Sequence, residues 1–151
     1  MITRFYLEDF EPGAVVETAG HLFTEEEILR FARDFDPQSH HTDPDAARAS
    51  IYGGIIASGW HTCSVMMRLM CDAYLLESAG MGSPGVEEIR WLLPVRPGDT
   101  LRGKRTVLSA RVSGSKPDRG IVKMHWEGFN QRDELVVSVR SIAFVNRRPL
   151  G

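Results

Sequence analysis

Between Trp60 and Ala79 the chain carries charge at only Arg68, Asp72 and Glu77. A helix that is apolar nearly all round has no face to give to water and must be covered by other elements. Gly80 and Gly82 read as its stop. The residues after it read as long strands, with turns at 94–98 and 114–120. In the last strand Leu135, Val137, Val139 and Ser141 alternate with Val136, Ser138, Arg140 and Ile142. In the strand before it, Val122, Met124 and Trp126 share a face. The expectation is an α+β fold, an antiparallel β-sheet wrapped around one long central helix, in a single domain over residues 1–151.

Upstream, short β-like pieces are expected at 14–16 and 20–23. Thr24-Glu25-Glu26-Glu27 forms a capping box, with Thr24 as N-cap and Glu27 reaching back from the third helical position. Ile28, Leu29, Phe31, Ala32 and Phe35 then give one apolar helix face. That helix should end before Pro37, because the residue preceding a proline avoids the α region. Asp43 caps a second short helix with Pro44 at its first position. Gly53-Gly54 breaks the chain before the long apolar helix begins.

Bulk properties exclude several classes. The formal charge of the 151 residues is only −2, so no broad basic field is offered to nucleic acid. Arg4, Glu8 and Asp9 interrupt any apolar opening run, so no signal peptide is expected. The uncharged run from Ser50 to Met67 approaches membrane-span length, but glycines and His61 interrupt it, and a buried core segment is the expectation. Cys63 and Cys71, eight apart on one helix, would lie about 12 Å apart, beyond disulfide reach. The chain therefore reads as a cytoplasmic protein with a small-molecule substrate and no nucleic-acid or membrane partner.

The chemistry concentrates in Asp36-Pro37-Gln38-Ser39-His40-His41-Thr42-Asp43 and Gly53-Gly54-Ile55-Ile56-Ala57-Ser58-Gly59-Trp60. The first segment packs a carboxylate and two imidazoles into a bend. The second approaches a helix start through a glycine. A carboxylate and an imidazole can divide proton transfer near neutral pH. A backbone N–H at a helix N-terminus stabilises negative charge on a nearby oxygen. Asp43 is better explained as a cap than as a ligand. His40, His41, His61 and Asp43 match no spacing that calls for a metal, and none is expected.

These motifs resemble those of the MaoC-like dehydratase family, hotdog-fold proteins that include (R)-specific enoyl-CoA hydratases. The family pattern is an Asp, a Pro, and a His five residues after the Asp, followed by x-Asp. Asp36, Pro37, His41 and Asp43 match it. An apolar stretch ending in the glycine that opens the central helix follows, matched by Ile55 to Gly59. A strand closing on Leu-Pro-Val-x-x-Gly-Asp is matched by Leu93 to Asp99. Together these span about residues 10–146. Ser39 and His40 stand where relatives usually have Pro and Phe. Ser58-Gly59-Trp60 stands where the hydratases often have His-Gly-Met, and Met67 where the best-known hydratases carry a Ser.

The resemblance implies that Asp36 and His41 hold one water between them and that the Gly59 N–H polarises the thioester carbonyl. It implies Ile56, Ser58, Trp60 and Met67 against the acyl group, coenzyme A as part of the substrate and no separate cofactor, and a homodimer or higher homo-oligomer. Arg90, Arg96, Lys116 and Arg119 are candidates for the coenzyme A phosphates. The implied reaction is hydration of a trans-2-enoyl thioester in fatty-acid metabolism. A hotdog thioesterase and a non-catalytic acyl-thioester-binding subunit remain open beside it.

Overall fold

The computed structural model describes residues 2–151. One antiparallel sheet of five strands dominates it: β1 (Val15–Leu22), β2 (Val86–Trp91), β3 (Thr100–Val112), β4 (Arg119–Phe129) and β5 (Leu135–Asn146), in the order β1-β3-β4-β5-β2. The two β-like pieces expected near the N-terminus are one strand, β1. Its register against β3 slips between Glu17 and Gly20, which accounts for the break in its pattern.

Four helices stand between β1 and β2: α1 (Glu25–Phe35), α2 (Ser39–Thr42), α3 (Pro44–Ala49) and α4 (Gly59–Ala73). The Thr24 hydroxyl accepts from Glu27 N–H and the Glu27 carboxylate accepts from Thr24 N–H, so both halves of the capping box form. The helix ends at Phe35, two residues short of Pro37. Asp43 caps α3 by accepting from the N–H groups of Asp45 and Ala46. The bend carrying the two imidazoles is itself a single helical turn, α2.

One face of the sheet packs against α4. Leu101, Val107, Val122, Met124 and Val137 from the strands meet Val65, Met66, Leu69 and Met70 of the helix. Two glycines let the helix approach. A Cβ on Gly103 would stand 2.9 Å from Met70 Cε, and one on Gly128 would stand 2.6 Å from Val137 Cγ1 and 3.0 Å from Met66 Sδ. The two methionines thus fill a notch that any larger residue would close.

Two expectations about α4 need correction. The helix ends at Ala73 rather than at the glycines beyond, and Leu75–Glu77 form a separate 3₁₀ turn. Tyr74 leaves helical geometry (φ −158°, ψ −30°) and buries its ring at 6.2 Å from Phe10, with its hydroxyl accepting from Trp126 Nε1 at 3.1 Å. Arg105 stacks its guanidinium over the same two rings. The demand of the tyrosine for a buried position and a donor overrides continuation of the helix. Nor is α4 covered all round. Trp60 and Met67 are 57% and 47% exposed, and Ser64, Arg68 and Asp72 share their side. The low charge of this helix reflects an open apolar stripe as well as a buried one.

Substituting Gly128→Ala should lower stability by about 1–3 kcal/mol, because the added methyl forces Met66 or Val137 from its place. Urea unfolding checks this. An unchanged midpoint would mean that the helix is not seated as described.

Candidate active site

The site lies where α1 ends, α2 turns and α4 begins. Pro37 stops α1, leaving Asp36 at its C-cap in a non-helical conformation (φ −151°, ψ 71°) with its carboxylate turned towards α2 and α4. Three side chains meet that carboxylate. Gln38 Nε2 donates to Oδ1 at 2.7 Å, Ser58 Oγ donates to Oδ2 at 2.7 Å, and His41 Nε2 stands 3.2 Å from Oδ2.

His41 is buried and fixed from its other side. Its Nδ1 is 2.7 Å from the Ile56 carbonyl oxygen. A carbonyl only accepts, so Nδ1 carries the proton, and in neutral His41 the free lone pair is on Nε2. That lone pair faces the carboxylate side of the cleft. Two acceptors facing each other at this distance call for a shared proton. The pair is therefore built to take up or release one proton at that point.

Burial pushes the Asp36 carboxyl up, but donation from Gln38 and Ser58 and the nearby His41 and His40 outweigh it, and the group is held below the usual carboxylate range. Burial pushes His40 down, as does its neighbour His41, against the pull of Asp36. His40 is thus a neutral ring at pH 7. His61 is also pushed down, chiefly by burial. Its ring is stacked flat on Phe31 with centroids 4.7 Å apart, so it ties α4 to α1 rather than joining a ligand set. Among the described residues no group of three or more His, Cys, Asp or Glu side chains is gathered as for a metal ion.

Gly59 is the first residue of α4. Ser58 caps the helix, its hydroxyl accepting from Trp60 N–H at 3.3 Å while donating to Asp36. The Gly59 N–H has no hydrogen-bond partner among the described residues. A fixed N–H at the positive end of a helix, one residue from the group that holds the carboxylate, offers a place for an oxyanion. The glycine is required by packing too. A Cβ there would lie 2.4 Å from Trp91 Cε2, and Trp91 Nε1 donates to the Gly59 carbonyl at 3.0 Å.

Asp36, His41, Gly59, Ile56 and Trp60 line one cleft of about 440 Å³. Two residues expected against the acyl group stand elsewhere. Ser58 is fully buried and reaches the cleft only through Asp36. Met67 lies about 12 Å further along the helix axis. It lines a separate apolar cavity of about 360 Å³ with Tyr74 and Phe144. Of the basic residues expected near phosphates, Arg90 pairs with Glu88 and Arg119 with Asp118, while Arg96 lies against Gly54 beside the cleft. Sequence reasoning gave no role to Gln38, Tyr52 or Trp91. Gln38 was findable, since an amide two residues from a carboxylate in a turn is placed to bond it. Tyr52 and Trp91 reach the cleft only through tertiary folding.

The fold and sequence are shared with known proteins. The chain superimposes on the crystal structure of a MaoC-like dehydratase from Rhodospirillum rubrum with a TM-score of 0.92 and 41% identity, over 97% of this chain and all of that one. It has the hotdog fold. Residues 9–125 match the family model described as MaoC like domain, and the chain belongs to the MaoC-like dehydratase family. R-hydratase PhaJ1 from Pseudomonas aeruginosa shares the fold at a TM-score of 0.78 and 21% identity, over 99% of this chain and 90% of that one. Mesaconyl-CoA hydratase from Cereibacter sphaeroides is 41% identical over 64 residues, which is 42% of this chain and 18% of that protein.

Ser58→Ala removes both a carboxylate donor and the cap of α4. It should cost about 1–2 kcal/mol of stability. It should also raise the Asp36 pKa. A depressed carboxyl contributes stability that is present above its unfolded value of about 3.9 and lost as pH falls through the folded value. The variant should therefore show a smaller loss of stability on acidification. NMR titration of the Asp36 carboxyl carbon reads the shift directly, and an unmoved titration would sever Ser58 from the pair.

Proposed function

We propose that the cleft catalyses the reversible hydration of a trans-2-enoyl thioester to a 3-hydroxyacyl thioester, the reaction of the (R)-specific enoyl-CoA hydratases. The observation that carries this reading is the 3.2 Å approach of Asp36 Oδ2 to His41 Nε2, facing the cleft that the Gly59 N–H also borders. A water bound by both groups from the cleft side gives a proton to the pair as its oxygen bonds to C3. The π electrons move onto the thioester carbonyl, whose oxygen is held by the Gly59 N–H. The pair then delivers a proton to C2, and dehydration is the reverse. Acid–base assistance of this kind is worth about 10²–10⁴-fold, and loss of one oxyanion donor about 3 kcal/mol of barrier.

Family membership and the hydratase names among similar proteins support this class of reaction. Asp36 is held below the usual carboxylate range, so it is ionised near neutral pH and able to accept a proton from water. The coenzyme A portion belongs to the substrate, and no other cofactor takes part.

Incubation with crotonyl-CoA, following both enoyl absorbance and free thiol, tests the reading. Absorbance should fall without thiol release, and Asp36→Ala or His41→Ala should each lower kcat/KM by about 10²-fold or more while leaving a folded protein. Thiol release would make the protein a thioesterase. Ligand binding with neither signal would make it a binding subunit.

The chain in this reading is a homodimer at least. Strands β1 and β2 are sheet edges, and the Trp60–Met67 stripe is open. Exposed edges and apolar stripes of this kind call for cover. Sedimentation should give twice the 16.9 kDa chain mass or a higher multiple; a stable monomer would contradict it.

A further inference from the structure

The flank of the cleft beside the Asp36–His41 pair is polar and unused. The His40 ring centroid is 4.1 Å from that of His41 and 5.5 Å from that of Tyr52, and all three rings line the cleft. The backbone holds both outer residues in place. The His40 carbonyl accepts from Ile56 N–H at 3.2 Å, and Tyr52 N–H donates to Ser50 Oγ at 3.2 Å. Among the described residues neither the His40 imidazole nor the Tyr52 hydroxyl has a hydrogen-bond partner. A neutral imidazole supplies one N–H and a phenol one O–H. Two donors on rings whose centroids are 5.5 Å apart can each meet one oxygen of a carboxylate.

Asp36 is the one carboxylate lining the cleft, and its oxygens are already engaged by Gln38, Ser58 and His41. The Arg96 guanidinium comes within 3.8 Å of where a side chain on Gly54 would begin, and it forms no ion pair among the described residues. A wholly apolar acyl group would instead cover two donors and leave them unpaired.

We propose that the cleft selects an enoyl thioester whose acyl part carries a second carboxylate, held by His40 and Tyr52. The inference rests on the hydration reading above. Because His40 packs on the ring that faces the reacting carbons, that carboxylate lies close to the double bond, and the acyl part is short.

Crotonyl-CoA and fumaryl-CoA differ only in a terminal methyl against a carboxylate. The wild-type protein should favour fumaryl-CoA by at least about ten-fold in kcat/KM, as sites built to bond a polar group do. His40→Phe and Tyr52→Phe should each reduce the fumaryl-to-crotonyl ratio by about ten-fold, mainly through KM for fumaryl-CoA. The ratio is taken on one sample, so a partly unfolded variant does not alter it. Should a variant fail to fold, the wild-type protein alone decides: succinyl-CoA should inhibit about ten-fold more strongly than butyryl-CoA. Equal inhibition, a preference for crotonyl-CoA, or a ratio that neither substitution moves would overturn the inference while leaving hydration in place. Hydration of neither enoyl thioester would remove the underlying reaction, and the selection with it.

Discussion

A single run of polar contacts holds the site together: Trp60 N–H to Ser58 Oγ, Ser58 Oγ to Asp36, Asp36 to His41, and His41 to the Ile56 carbonyl. It joins the end of α1, the turn α2, the approach to α4 and the first turn of α4. Each of these segments is short or terminal, and none would hold its shape alone. Removing Ser58 or His41 loosens three elements at once. The serine matters as much as the pair it supports, because it satisfies the helix end with its lone pair and the carboxylate with its proton.

The sheet serves this junction by fixing where α4 starts. Met66 and Met70 lock into the notch above Gly103 and Gly128. The helix therefore cannot slide along the strands, and its N-terminus stays beside the carboxylate. Tyr74 and its bond to Trp126 anchor the far end. A preorganised donor is worth most when nothing moves to reach it.

Much of this was legible in the sequence. The capping box at Thr24 and Glu27, the stop at Pro37 and the Asp43-Pro44 helix start are local chemistry, decided by neighbours within a turn. Asp36, His41 and Gly59 were marked by spacing and residue type, and the structure brings them to one cleft. What local reading missed depends on distant partners. The end of α4 is set by Tyr74 reaching Trp126, and the distance of Met67 from the site is set by where the helix meets the sheet. Trp91 reaches Gly59 from 32 residues away. Ser58 looked like a wall of the pocket because its neighbours are; its burial under Asp36 turns on one side-chain direction that spacing does not encode.

Trp91 closes β2, one of the two edge strands of the sheet, and its indole packs against the first residue of α4. The rim of the molecule and the floor of its cleft are thus one contact apart. A shift of this border moves the ring packed against Gly59, and with it the start of α4.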